Sequence, residues 1–91
     1  MPYILKDRRK EINPLLVELI KEVQKDETTA GDLNYAISQI IWNAYDAKPG
    51  YARANSLMGV LQGVQAEFYR RKVAPYEDEK IDENGDIQCV F

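Results

Sequence analysis

The chain has 91 residues, 45% hydrophobic and 30% charged, with a formal net charge of −3. Those values place it among globular chains with room for one modest core, and outside the disordered class. Apolar runs such as Leu15-Leu16-Val17 and Ile40-Ile41-Trp42 stop at three residues, far short of the roughly 18 needed to span a bilayer.

The first ten residues, MPYILKDRRK, lack the basic-then-apolar order of a signal peptide, so a cytoplasmic protein is the expectation. Cys89 is the single cysteine, which excludes an intrachain disulfide. Charge is unevenly spread. Residues 76 to 86 hold six acids (Glu77, Asp78, Glu79, Asp82, Glu83, Asp86) against Lys80, while cations gather at Lys6, Arg8, Arg9, Lys10 and at Arg70, Arg71, Lys72. Two such short clusters fall below the footprint of a duplex-binding protein, so double-stranded nucleic acid is excluded as the expected partner and a small anion is retained.

In chain order, INPLLVELIKEVQKDE reads as a first helix, with Asn13 as cap and Pro14 at the first helical position. Leu16, Leu19, Ile20 and Val23 form a stripe facing a core, and Glu18–Lys21 and Glu22–Lys25 support the far side. In the connector ETTAGD, Gly31 supplies an unusual backbone angle and Asp32 caps the second helix. That helix carries Leu33, Ala36, Ile37, Ile40, Ile41 and Ala44 on one face. Trp42 and Tyr45 are expected to widen it, making this the most buried helix. Pro49 and Gly50 end it.

A third helix, the longest, starts near Tyr51, with Ala54, Leu57, Leu61, Val64 and Phe68 at alternating spacings of three and four. Gly59 and Gly63 lie inside it, each costing roughly 1 kcal/mol against alanine. With Ala66 they form a small-residue ridge where another backbone can approach, either from the same chain or from a second subunit. Pro75 then either ends the helix near Lys72 or kinks it before YEDEKIDEN resumes, with Gly85 as a C-terminal cap. DIQCVF alternates weakly, leaving room for a short β-ribbon with PYIL near the N-terminus. The expected fold is all-α: a compact three-to-four-helix bundle forming a single domain over residues 1–91.

The chain has no histidine, so a Ser-His-Asp or Cys-His arrangement is excluded. No neighbouring base activates Cys89. DENGD superficially suggests a calcium loop, but aligning Gly85 with the sixth position puts Lys80 first and Phe91 twelfth, where oxygen ligands are required. No metal, no cofactor and no catalytic residue are therefore expected.

The segment EFYRRKVAPY offers more. Glu67 pairs with Arg70 or Arg71 at supportive helical spacing, and cations before Pro75 suit the negative end of a helix dipole. Tyr69, Lys72 and Tyr76 stand at i, i+3 and i+7 if the helix continues. Arginine forks recognise phosphate and tyrosine rings stack on bases. Tyr69, Arg70, Arg71, Lys72 and Tyr76, with Arg53 and Arg9 as lesser candidates, are thus the candidate ligand-binding residues. Gly59, Gly63 and Ala66 are the candidate interface.

Taken together, MPYI, GDLNYAI and EFYRRKVAPYEDEKIDENGD resemble a family of small uncharacterised proteins found in prokaryotic and phage genomes. The likeness spans nearly the whole chain. It implies a compact helical domain, with no settled activity or site residues, and the QCVF tail extends past the usual ending. Several small helical phage proteins act as oligomeric sponges that sequester nucleotide messengers, and that analogy of architecture suggests a non-catalytic homo-oligomer. The alternative is a protein-interaction module that regulates a host protein through its acidic C-terminal segment.

Overall fold

The computed structural model describes residues 4–90. Four α-helices follow in order: α1 (Lys6–Val23), α2 (Ala30–Ala47), α3 (Tyr51–Phe68) and α4 (Ala74–Asn84), with a π-helical turn, Tyr69–Val73, joining the last two. No strand occurs among the described residues. Pro2, Tyr3 and Phe91 of the expected β-ribbon lie outside that range. Within it, Ile4 and Leu5 are not extended into a strand, and the Ile87 N–H turns onto the Asp86 carboxylate at 2.6 Å. That local bond occupies a donor a ladder would need, and a two-stranded ribbon with nothing to pack on is marginal in any case.

Spatial contacts divide the chain into two units, Met1–Leu57 and Met58–Phe91. The first unit holds α1, α2 and the opening turns of α3. Here α1 begins at Lys6 and runs through Pro14, correcting the start at Asn13-Pro14. A proline inside a helix removes one hydrogen bond and crowds one carbonyl. The stretch before it is held as helix by Asp7 in the first turn and by the ion pairs Arg8–Glu11 and Asp7–Lys10.

A capping box opens α2: the Asp32 N–H donates to Thr29 Oγ1 at 3.1 Å, and the Thr29 N–H donates to Asp32 Oδ2 at 3.0 Å. Thr29 is thus the cap, with Asp32 its reciprocal partner. Gly31, expected to bend the chain, lies within the first turn of α2 and has no positive φ. The glycines that do use that freedom are Gly50 (φ 145), after α2, and Gly85 (φ 85), closing α4 through its N–H to the Ile81 carbonyl at 2.8 Å.

No described residue is buried. Ile12, Leu16, Val23, Ile41, Ala44 and Tyr45 are half-covered. An open apolar cleft lies between the end of α1 and the start of α2, lined by Leu19, Val23, Tyr35, Ala36 and Ile40 among others. Trp42, expected to be buried, is 67% exposed. It stands nine positions after Leu33, and at 100° per residue that is half a turn away from the apolar stripe. It lines a separate shallow groove with Asn34 and Ser38.

The second unit contains the rest of α3, the π-turn and α4. Backbone angles at Phe68, Val73 and Ala74 are all right-handed helical, so the helix neither ends nor breaks at Pro75. No helix among the described residues is long and apolar enough to cross a membrane.

Candidate functional site

The basic segment lies in the π-turn. The Ala74 N–H reaches back to the Tyr69 carbonyl, five residues earlier. The wider ring inserts in effect one extra residue, and lets Pro75, with no N–H and a ring that crowds the carbonyl four residues before it, sit in a continuous helix. The sequence signal was a proline in a helical pattern with no glycine or asparagine stop beside it.

That insertion re-aims the side chains. In a regular helix, Tyr69 and Tyr76 fall on one stripe. With the π-turn between them, Tyr69 instead has Glu77 as its neighbour. Hydrogen bonding toward that carboxylate, and its negative charge, raise the Tyr69 hydroxyl above its ordinary pKa. Tyr76 pairs elsewhere: the Lys80 ammonium lies 5.5 Å from its ring centroid and also contacts Glu83 Oε2 at 3.1 Å. Glu77 is the neighbour that periodicity alone did not reveal.

Arg70 and Arg71 converge on Glu67. Arg70 Nη2 approaches Glu67 Oε2 at 3.0 Å and Arg71 Nη1 approaches the same oxygen at 3.9 Å. Hydrogen bonding to Arg70 holds the Glu67 carboxyl below its ordinary range. Both arginines are well exposed, and Lys72 is exposed beside them. A shallow groove on the neighbouring surface is lined by Gln62, Ala66, Phe68, Tyr69 and Val73.

Arg9 and Arg53 belong to the first unit, and each serves backbone. Arg9 Nη2 donates to the Ile4 carbonyl at 3.0 Å, while its covered Nε has no partner. Arg53 Nε donates to the Ala44 carbonyl at 3.1 Å, joining the last turn of α2 to the first of α3. A cation there suits the negative end of the α2 dipole. On the small-residue ridge, a Cβ added at Gly59 would meet nothing within 4 Å. Among the described residues no group of acids and cysteine is placed to hold a metal.

No curated protein and no solved structure matches the chain. A family profile does, over residues 1–87, and the chain belongs to that family, a domain of unknown function (DUF6899).

Proposed function

We propose that this protein works by binding and not by catalysis. It acts as a cytoplasmic homo-oligomer that captures a small anionic, nucleotide-like ligand on its basic turn, in the manner of a phage-type sponge. The observation that carries this reading is the exposed run Arg70-Arg71-Lys72 on a π-turn, a device that often marks functional positions in helices. The arginine forks suit a phosphate, and the exposed Tyr76 ring offers a face to a base. An incoming phosphate competes with Glu67 for Arg70 and Arg71, while Lys72 adds a third cation. Arg53 and Arg9 act in this reading as structural cations. The compact bundle belongs to the same proposal, as a property of the assembled oligomer.

The test is thermal shift and calorimetry with a panel of cyclic and linear nucleotides. A true ligand at a hundredfold excess over its Kd stabilises the protein by about 2.7 kcal/mol. Arg70→Ala with Arg71→Ala removes that shift and leaves helical content in place. If no nucleotide raises the melting temperature, the ligand reading fails.

One observation favours a second reading. The six acids from Glu77 to Asp86 are all exposed, with Lys80 as the one base among them, which suits a basic surface on a regulated host protein. Neutralising Glu77, Asp78 and Glu79 would then abolish capture of that protein and spare nucleotide binding.

A further inference from the structure

We infer that the cleft between α1 and α2 is a further binding site, one that takes a small amphiphilic cation: an amine carried on an apolar body. It lies wholly within the first unit and shares no residue with the basic turn. Its volume, about 570 Å³, falls inside the roughly 300–1,000 Å³ of small-molecule sites. Leu19 and Val23 of α1 and Ala36 and Ile40 of α2 supply its apolar walls.

Charge chooses the ligand. Among the described residues, the charged side chains lining the cleft are Glu22 and Asp32, both acids. Around them, residues 18–32 hold five acids (Glu18, Glu22, Asp26, Glu27, Asp32) against Lys21 and Lys25, a net −3. Glu22 Oε2 meets Lys25 at 2.7 Å, and Asp32 Oδ2 accepts the Thr29 N–H at 3.0 Å. A carboxylate accepts at about four sites, so both keep acceptor capacity for an ammonium, and an exposed pair such as Glu22–Lys25 yields readily. Tyr35, whose hydroxyl accepts from Gln39 Nε2 at 3.2 Å, adds an aromatic wall, a surface that also favours cations.

The walls and the acids together narrow the class. A metal ion or a bare polyamine gains nothing from Leu19, Val23, Ala36 and Ile40, and an anion is repelled by both carboxylates. The connector lines the cleft at Thr28, so the chain itself bounds it at that end, whereas a docked helix lays its anchors along an open groove.

Octylammonium and octanesulfonate, equal in chain length and opposite in charge, are titrated against the full chain at low ionic strength, with backbone amide shifts followed by NMR. The ammonium is expected to shift the amides of Leu19 to Val23 and Asp32 to Ile40, and to bind at least about 10-fold more tightly than the sulfonate. Glu22→Gln with Asp32→Asn should bring the two probes within about 3-fold of each other. Asparagine keeps an oxygen for the Thr29 N–H, so the cap of α2 survives. Ala36→Phe fills the cleft and should weaken the ammonium at least about 10-fold, with helicity followed by circular dichroism. Equal affinities for the two probes, or ammonium shifts elsewhere than the cleft, overturn the proposal on the unaltered chain, however the variants fold. A molar mass in solution that Ala36→Phe lowers would assign the cleft to a second copy of the chain and overturn it too.

Discussion

Pro14 and Pro75 both stand inside helical chain, and the backbone accommodates them differently. Around Pro14 the hydrogen-bonding pattern stays that of an ordinary α-helix, and α1 simply runs through it. The ion pairs of α1 lie on either side of the proline, Arg8–Glu11 and Asp7–Lys10 before it and Glu18–Lys21 after it. Around Pro75 the chain widens into a π-turn, and Tyr69 and Glu77, on either side of the proline, become neighbours. An eight-residue separation places two side chains well apart on an α-helix, but one inserted residue brings them to nearly the same stripe. The same residue type thus meets two solutions, and the side-chain link across Pro75 fits only the wider one.

The largest effect expected from this comparison is at Pro14. Pro14→Ala should raise stability by about 2 kcal/mol, the roughly 3 kcal/mol cost of an interior proline less the unfolded-chain entropy that proline removes. Denaturant melting measures it. No gain would mean that α1 does not run unbroken through this position.

Pro75→Ala should give less, about 1 kcal/mol or under, because the π-turn already keeps the ring clear of the preceding turn. Its distinctive result is a change of partner. Once the turn tightens to α, Tyr69 leaves Glu77, and its phenol titrates nearer its ordinary value in a spectrophotometric pH titration. An unchanged Tyr69 titration would show that the π-turn is held by something other than the proline.

The smallest effect is acid sensitivity of the Glu67–Arg70–Arg71 cluster. The folded state lowers the Glu67 pKa, so its contribution is complete above the unfolded carboxyl's pKa and is lost as pH falls through the lower folded value. Glu67→Gln should flatten a small acid-side loss of helical signal below about pH 4. A wild-type profile identical to that of the variant would remove Glu67 from the account.

Much of the local structure was legible because local chemistry dictates it. Pro49 and Gly50 ended α2, Tyr51 opened α3, Gly85 closed α4, and Glu67 paired with its two arginines. The misreadings have a shared cause. Asn13-Pro14 carried a valid helix-start signal, yet the polar stretch before it was already helical, so the proline stands inside α1 and not at its start. Trp42 was assigned to the core by residue type, although its register places it half a turn away from Leu33. At the candidate site the composition of the basic run was plain, but the partners of its two tyrosines depended on one residue of helical phase.

By itself, then, the amino-acid sequence determined the helices, their caps, the segregation of charge toward the C-terminal end and the absence of histidine chemistry, all set within a few residues by hydrogen bonding and side-chain type. The folded structure decided two things that apolar periodicity leaves open. One is the π-turn at Tyr69–Val73, where a shift of hydrogen-bond register sends Tyr69 to Glu77 and Tyr76 to Lys80. The other is that the apolar faces of the described helices are not buried within either unit, because an apolar stripe specifies that a helix needs covering and does not specify what covers it.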